Sequence, residues 1–185
     1  PTPLEVLRNP WIQWSVVLPR EIDDPRYDDI RSAAYEALDT LGMQTGLSHM
    51  EWFRREDGSI AISEVGARPP GAQFTTLVGV AHDIDFCYAW ARLMVYGDFE
   101  PPKRRFATGI AYLRGQGMGL IRSIEGLEKV ERDVGHLVVG SKLPVVGHAR
   151  SAGYEGDGFM IVRHERTQVV EATLQHIIST VRVDC

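Results

Sequence analysis

Residues 50–71 read MEWFRREDGSIAISEVGARPPG, two strand-like runs joined at Asp57-Gly58. That dipeptide signals a hairpin, because a two-residue type I′ turn needs positive φ at both positions and Asp followed by Gly tolerates it. With those two residues as the loop, Glu56 faces Ser59, Phe53 faces Ile62, Glu51 faces Glu64 and His49 faces Gly66. The two-residue period of a strand puts Glu51, Phe53, Ile62 and Glu64 on one side, and Trp52, Arg54, Ala61 and Ser63 on the other. A four-residue loop keeps this register, whereas a three-residue loop shifts it by one.

Directly opposed residues have Cβ atoms about 4.5–5.5 Å apart, and like charges there repel. Three arrangements relieve the repulsion: a divalent cation between the carboxylates, a shared proton with one pKa raised, or an exposed pair held apart by neighbouring arginines. Arg68, four residues beyond Glu64, brings a fork of donors suited to a phosphate or a carboxylate. Mg²⁺ binds few protein oxygens and fills its other positions with phosphate oxygens and water.

The composition suits such a ligand. The chain has 185 residues, 44% hydrophobic and 24% charged, enough for one large or two small globular domains with a real core. Residues 1–98 hold 8 Lys and Arg against 15 Asp and Glu (−7), and residues 99–185 hold 12 against 10 (+2). An acidic first half disfavours nucleic-acid phosphates and favours divalent cations. No run approaches the roughly 18 apolar residues of a membrane span, and the start, PTPLEVLRNP, lacks the pattern of a signal peptide, so a cytoplasmic protein is expected. The start without methionine fits a fragment, and a trimmed clone equally. Cys87 and Cys185 make neither a disulfide framework nor a zinc motif. Cys87 reads as a small buried hydrophobe.

Outward from the hairpin, residues 11–18 (WIQWSVVL) read as a strand stopped by Pro19. A helix follows, with Asp24 as cap, Pro25 first, and Tyr27, Ile30, Ala34, Leu38 and Leu41 on one packed face before Gly42. Beyond the second glutamate, ARPPGAQ is a loop. Residues 83–96 are apolar on nearly all sides, which predicts a buried helix capped by Asp83, with Trp90 and Met94 in the core. After a linker at 100–103, short strands are expected at 106–113, 119–124, 137–139 and 159–162, then a helix over 167–181 with Val170, Leu174, Ile177 and Val181 on one stripe. The fold class is therefore α+β, with one lobe over 1–98 and a smaller, mostly antiparallel lobe over 99–185.

The segment HMEWFRREDGSIAISEVGARPPG resembles the metal-binding end of the ATP-grasp superfamily, whose members activate a carboxylate as an acyl phosphate. In that family one glutamate ends its strand as Glu51 does, and a second strand carries E-x-N-x-R, whose first and last positions match Glu64 and Arg68. The resemblance implies that Glu51 and Glu64 hold Mg²⁺ (or Mn²⁺) on the phosphates of ATP. It also implies that Arg68 is catalytic, steadying the transferred phosphoryl group. Gly66 departs from the pattern, because it stands where the family has its asparagine ligand and offers no side-chain oxygen. Downstream, GMGLIRSIEGLEKVERDVGHL and GYEGDGFMIVRHERTQVVEATLQHI are similar to the cap lobe of carboxylate–amine ligases and biotin carboxylases, with a G-L-E turn after a strand.

The implied architecture is the C-terminal lobe of an ATP-grasp fold, an antiparallel sheet with packed helices, over 1–98, and a cap subdomain over 99–185. Nothing before residue 46 resembles the glycine-rich loop and lysines that hold ATP, and there is no Walker A or G-x-G-x-x-G signature. Gly115, Gly117 and Gly119 read as a tight turn. The expectation is the C-terminal part of a ligase joining a small carboxylate to an amine, inactive without a further ATP-grasp lobe; a homodimer is compatible with it. The sequence PPGAQ, where biotin carboxylases place an acid and a histidine, favours an amino-acid ligase type over biotin carboxylation. The rivals are a non-catalytic binding or regulatory module of this fold, and an unrelated α+β domain with an acidic hairpin.

Overall fold

The computed structural model describes residues 13–185; Trp11, the expected start of the first strand, lies outside the described residues. Strand β1 (Ser15–Leu18) is followed by a short 3₁₀ turn and helix α1 (Asp28–Thr40), then by β2 (His49–Arg54) and β3 (Ile60–Gly66). Helices α2 (Phe74–His82) and α3 (Phe86–Tyr96) come next, then β4 (Ala107–Leu113), β5 (Gly115–Gln116) and β6 (Ser123–Glu125). Helix α4 (Leu127–Val134), β7 (Val138–Lys142), β8 (Gly158–His164), α5 (Thr167–Thr180) and β9 (Arg182–Asp184) complete the chain.

The main sheet is antiparallel in the order β1-β4-β8-β7. Its edge strand β1 comes from before the hairpin, and the other three come from beyond residue 106. All seven residues of β4, ATGIAYL, are buried, so both faces of the sheet are covered. Alternation assigns the faces. Ala107 and Ala111 join Val170, Leu174 and Ile177 of α5 in one core, whereas Ile110 and Tyr112 join Leu77 of α2 in a second. Small residues at 107, 109 and 111 let α5 lie close to the sheet. β9 pairs in parallel with β5 and antiparallel with β6 in a second, smaller sheet.

Several expectations fail here for identifiable reasons. The helix expected over 83–96 starts at Phe86, and Asp85 caps it by accepting from the Tyr88 backbone N–H at 2.9 Å. Asp83 instead ends α2, a helix absent from the sequence reading, in a left-handed conformation (φ 59°). α3 is not buried: only its stripe of Phe86, Ala89, Trp90 and Leu93 is partly covered, while Cys87 is exposed and Tyr88 and Met94 are 62% and 58% exposed. An apolar circumference predicts burial only when other segments are there to cover it. Leu41 is likewise 65% exposed, because α1 ends at Thr40 and Leu41 has left its packed face. The expected strand over 119–124 is reduced to β6, although Leu120 makes a bridge with Ala149. The expected G-L-E turn opens α4.

His82 ties α2 to the segment before β4. Its Nδ1 lies 2.9 Å from the Pro102 carbonyl, and Arg104 Nε donates to its Nε2 at 3.3 Å, which together fix the neutral Nδ1–H tautomer. Arg104 also donates to the Pro19 carbonyl at 2.7 Å. Burial, and then the Arg104 charge, hold the His82 pKa below the ordinary imidazole range against the opposing pull of the Pro102 bond. The unfolded chain therefore takes up a proton at His82 before the folded one does, and this contribution to stability falls as pH drops below about 6.5. Urea midpoints measured from pH 7.5 down to pH 5 are expected to fall more steeply for the wild type than for His82→Gln. Equal slopes would remove His82 from the account.

Candidate functional site

The hairpin reaches the expected carboxylate pair by an unexpected route. Arg55 N–H donates to the Ser59 carbonyl at 2.8 Å and Gly58 N–H to the Arg55 carbonyl at 3.0 Å, so the loop is the three residues 56–58. Gly58 takes the left-handed conformation (φ 84°) that such loops require. Asp57 Oδ1 accepts from Ser59 N–H and Oγ–H at 2.9 and 2.6 Å. The three-residue loop shifts the register by one, giving Arg54–Ile60, Phe53–Ala61 and Trp52–Ile62 pairs. The expected Phe53–Ile62 pairing is therefore incorrect.

An irregularity between Glu51 and Trp52 then absorbs one residue, Ser63, and restores the Glu51–Glu64, Met50–Val65 and His49–Gly66 pairs. Ser63 Oγ donates to the Glu51 carbonyl at 3.2 Å across the bulge. Bulges of this kind re-aim side chains beside functional sites.

Arg68 Nη2 donates to Glu64 Oε1 at 3.0 Å, with both side chains half exposed. Such a pair contributes roughly 0–1 kcal/mol to stability. Its significance is electrostatic, since Arg68 offsets one of the two opposed carboxylates. Gly66 makes room for it: a Cβ on Gly66 would lie 3.3 Å from Arg68 Cγ and 3.4 Å from Arg68 Nε. A side chain at 66 would press on the arginine stem, which would have to give by a few tenths of an ångström.

Glu51 and Arg68 line a cleft of about 730 Å³ together with His49, Phe53, Phe74 and Tyr154. His49 Nδ1 is buried and has no hydrogen-bond partner among the described residues, and its ring meets Phe74 at 6.1 Å. Beyond Arg68 the chain turns through two non-glycine residues in the left-handed region, Ala72 (φ 51°) and Gln73 (φ 65°). These conformations cost free energy and persist only where surroundings fix them. Two bonds do so: Tyr112 Oη donates to the Ala72 carbonyl at 2.8 Å, and Gln73 Nε2 donates to the Glu155 carboxylate at 3.3 Å.

Sequence reasoning missed part of the cleft's lining. Tyr154 lines the cleft, and its hydroxyl donates to Gln13 Oε1. Burial, and then the charge of Glu51, push its pKa above the ordinary phenol range, so the hydroxyl stays protonated at neutral pH. Burial also raises the pKa of Tyr112. Arg114 holds this wall by donating to the carbonyls of Gln13 (2.9 Å), Gly153 (3.3 Å) and Tyr154. No local motif marks these residues; only the pairing of β4 with β8 brings them to the hairpin.

Among the described residues no three His, Cys, Asp or Glu side chains come together. A metal at the hairpin would have two carboxylates and no third such ligand. That donor set fits Mg²⁺ or Mn²⁺ completed by water and phosphate oxygens, and does not fit an all-protein cage.

No family model matches the chain, nor does any curated protein sequence. Solved structures do. The L-amino acid ligase from Bacillus licheniformis aligns with a TM-score of 0.75 at 21% identity, covering 92% of this chain and 44% of that one. N5-carboxyaminoimidazole ribonucleotide synthetase from Thermotoga maritima gives 0.66 at 17%, covering 92% and 45%. The biotin carboxylase domain of the Hydrogenobacter thermophilus 2-oxoglutarate carboxylase gives 0.62 at 12%, covering 92% and 39%. All three are ATP-grasp enzymes, and at these identities the likeness is one of fold. The chain spans less than half the length of each.

Proposed function

Starting from a chain that carries part of the ATP-grasp fold, we propose that it is the C-terminal portion of an ATP-dependent carboxylate–amine ligase. The observation that carries this reading is the opposition of Glu51 and Glu64 across the hairpin, with Arg68 beside them on the cleft. In the proposed reaction a carboxylate oxygen attacks the γ-phosphorus of ATP and ADP leaves. An amine then attacks the acyl phosphate and inorganic phosphate leaves. Mg²⁺, when bound, neutralises charge on the phosphates.

Glu51 and Glu64 hold that ion in this reading. Arg68, which lines the cleft, would offer the donors not bonded to Glu64 to the transferring phosphoryl group and to the acid that receives it. Catalysis rests on positioning and electrostatics, because the side chains form no covalent intermediate. The likeness to an L-amino acid ligase supports an amino acid as the carboxylate. Residues 1–98 would form the metal-binding half and residues 99–185 the cap, which shares its main sheet with β1 and brings Tyr154, held by Arg114, to the cleft.

The sequence contains no glycine-rich phosphate loop, so the 185-residue chain alone is expected to release no ADP from ATP. The test is hydroxamate formation from ATP, an L-amino acid and hydroxylamine, which traps an acyl phosphate. It is expected when an ATP-binding lobe accompanies the chain, and expected to vanish in Glu64→Ala. ADP release by the chain alone, abolished by Glu64→Ala, would overturn the division of labour. One observation favours a second reading, a binding or regulatory module: Gly66 supplies no side-chain oxygen to a metal. Nucleotide binding with no hydroxamate under any pairing would select it.

A further inference from the structure

The proposed acid site leaves open how large an acid it takes, and the inference made here rests on that site. Tyr154 lines the cleft together with Arg68, Pro70 and Phe74. It is held at three points. Arg114 fixes its backbone by donating to the carbonyls of Gly153 and Tyr154. The Tyr112 ring meets it edge-on, with centroids 6.3 Å apart at 74°. Its hydroxyl donates to Gln13, whose own carbonyl is held by Arg114 Nε at 2.9 Å.

The support behind Tyr154 is equally fixed. Tyr112 has no exposed surface and donates to the Ala72 carbonyl, so the ring backing Tyr154 also sets the loop that leads from Arg68 to α2. Glu155, next in sequence, accepts from Gln73 in that same loop. The two walls are thus tied together, and Tyr154 is a fixed boundary in place of a lid. A side chain whose backbone is fixed and whose ring is backed keeps one rotamer with or without the bond at its tip, which is what a size filter requires.

The chemistry of the lining says what is filtered. Arg68 is a cation for a carboxylate, and Phe53, Pro70, Phe74 and Tyr154 leave apolar surface for the substituent of that acid. We propose that Tyr154 is the specificity-determining residue of the cleft, setting the largest apolar substituent that a carboxylic acid can bring to Arg68.

The test uses the 185-residue chain and four probes of rising bulk, the sodium salts of acetic, isovaleric, phenylacetic and indole-3-acetic acid, with affinities from ligand-observed NMR titration. The wild type is expected to bind the smaller acids and discriminate against indole-3-acetate. Tyr154→Ala and Tyr154→Leu are expected to reduce that discrimination about tenfold, the scale on which apolar pockets sort substituents. Tyr154→Leu retains a packed apolar side chain should the alanine variant fail to fold. Tyr154→Phe keeps the ring and is expected to keep the wild-type cutoff. Arg68→Ala should weaken every acid.

A cutoff unchanged in Tyr154→Leu, with binding still dependent on Arg68, would overturn the inference alone. A cutoff lost in Tyr154→Phe would overturn it too, by assigning the effect to the hydroxyl. Binding indifferent to Arg68→Ala, or absent for all four acids, would remove the acid site itself and the inference with it.

Discussion

Mn²⁺ titrated into the chain in the presence of ADP is expected to bind saturably, and Glu51→Gln with Glu64→Gln is expected to weaken that binding by about a hundredfold. The expectation follows from the donor set. Two carboxylates face each other across β2 and β3, and among the described residues only Glu64 has a cationic partner, Arg68 at 3.0 Å. A hard cation between the carboxylates takes oxygen donors from both, and a loss of about tenfold per carboxylate corresponds to ~1.4 kcal/mol each. Calorimetry reads the affinity, and thermal melting without metal supplies the control. The ion pair is half exposed, so its loss should change stability by less than about 1 kcal/mol. A wild type that binds no Mn²⁺ even with nucleotide would remove the metal from the pair and leave the other two arrangements, of which the Arg68 contact at 3.0 Å favours two exposed glutamates held apart by the arginine. Equal binding in the double variant would move the metal elsewhere.

How much of this was legible in the sequence depends on the distance over which each feature is determined. Glu51 opposite Glu64 was legible, but through two compensating departures: a loop one residue longer than Asp-Gly implies, and a bulge at Ser63 that returns the register. Turn chemistry shows the first only ambiguously, and nothing local shows the second. The strong apolar strands and α5 read correctly because their burial comes with their own periodicity.

Helix α2 did not, because FTTLVGVAH follows Pro-Pro-Gly, carries β-branched residues and contains a glycine. Gly79 has a tertiary reason: a Cβ there would lie 3.0 Å from the Ile84 carbonyl, so the glycine lets the chain close tightly from α2 into α3. The burial expected of α3 failed for the converse reason, since composition states what a surface prefers to touch and not whether anything is there. Tyr154, Arg114 and the Tyr112 to Ala72 bond lay beyond reach, being products of which strands pair.

The same dependence on pairing gives the largest expected stability effect, at the contact of β4 with α5. Leu174 is 2% exposed, and Leu174→Ala is expected to cost about 2–5 kcal/mol through lost transfer free energy and the cavity left behind. Gly109 lies beneath it. A Cβ at 109 would sit 2.5 Å from Leu174 Cδ1, 2.9 Å from Val170 Cγ1 and 3.0 Å from the Val16 carbonyl, so Gly109→Ala is expected to cost about 1–3 kcal/mol by overpacking.

The two changes share one space. In Gly109→Ala with Leu174→Ala, the new methyl enters volume that the leucine has vacated, which relieves its worst clash and fills part of the cavity. The double variant is therefore expected to be more stable than the sum of the singles by about 1 kcal/mol, read from urea unfolding as a coupling energy. The Val16 carbonyl, a backbone atom of β1, still crowds the methyl, so the rescue is partial. Strict additivity would mean that α5 had lifted off the sheet in one of the singles. The sheet that carries Tyr112 and Arg114 to the cleft would then be softer than its buried surfaces imply.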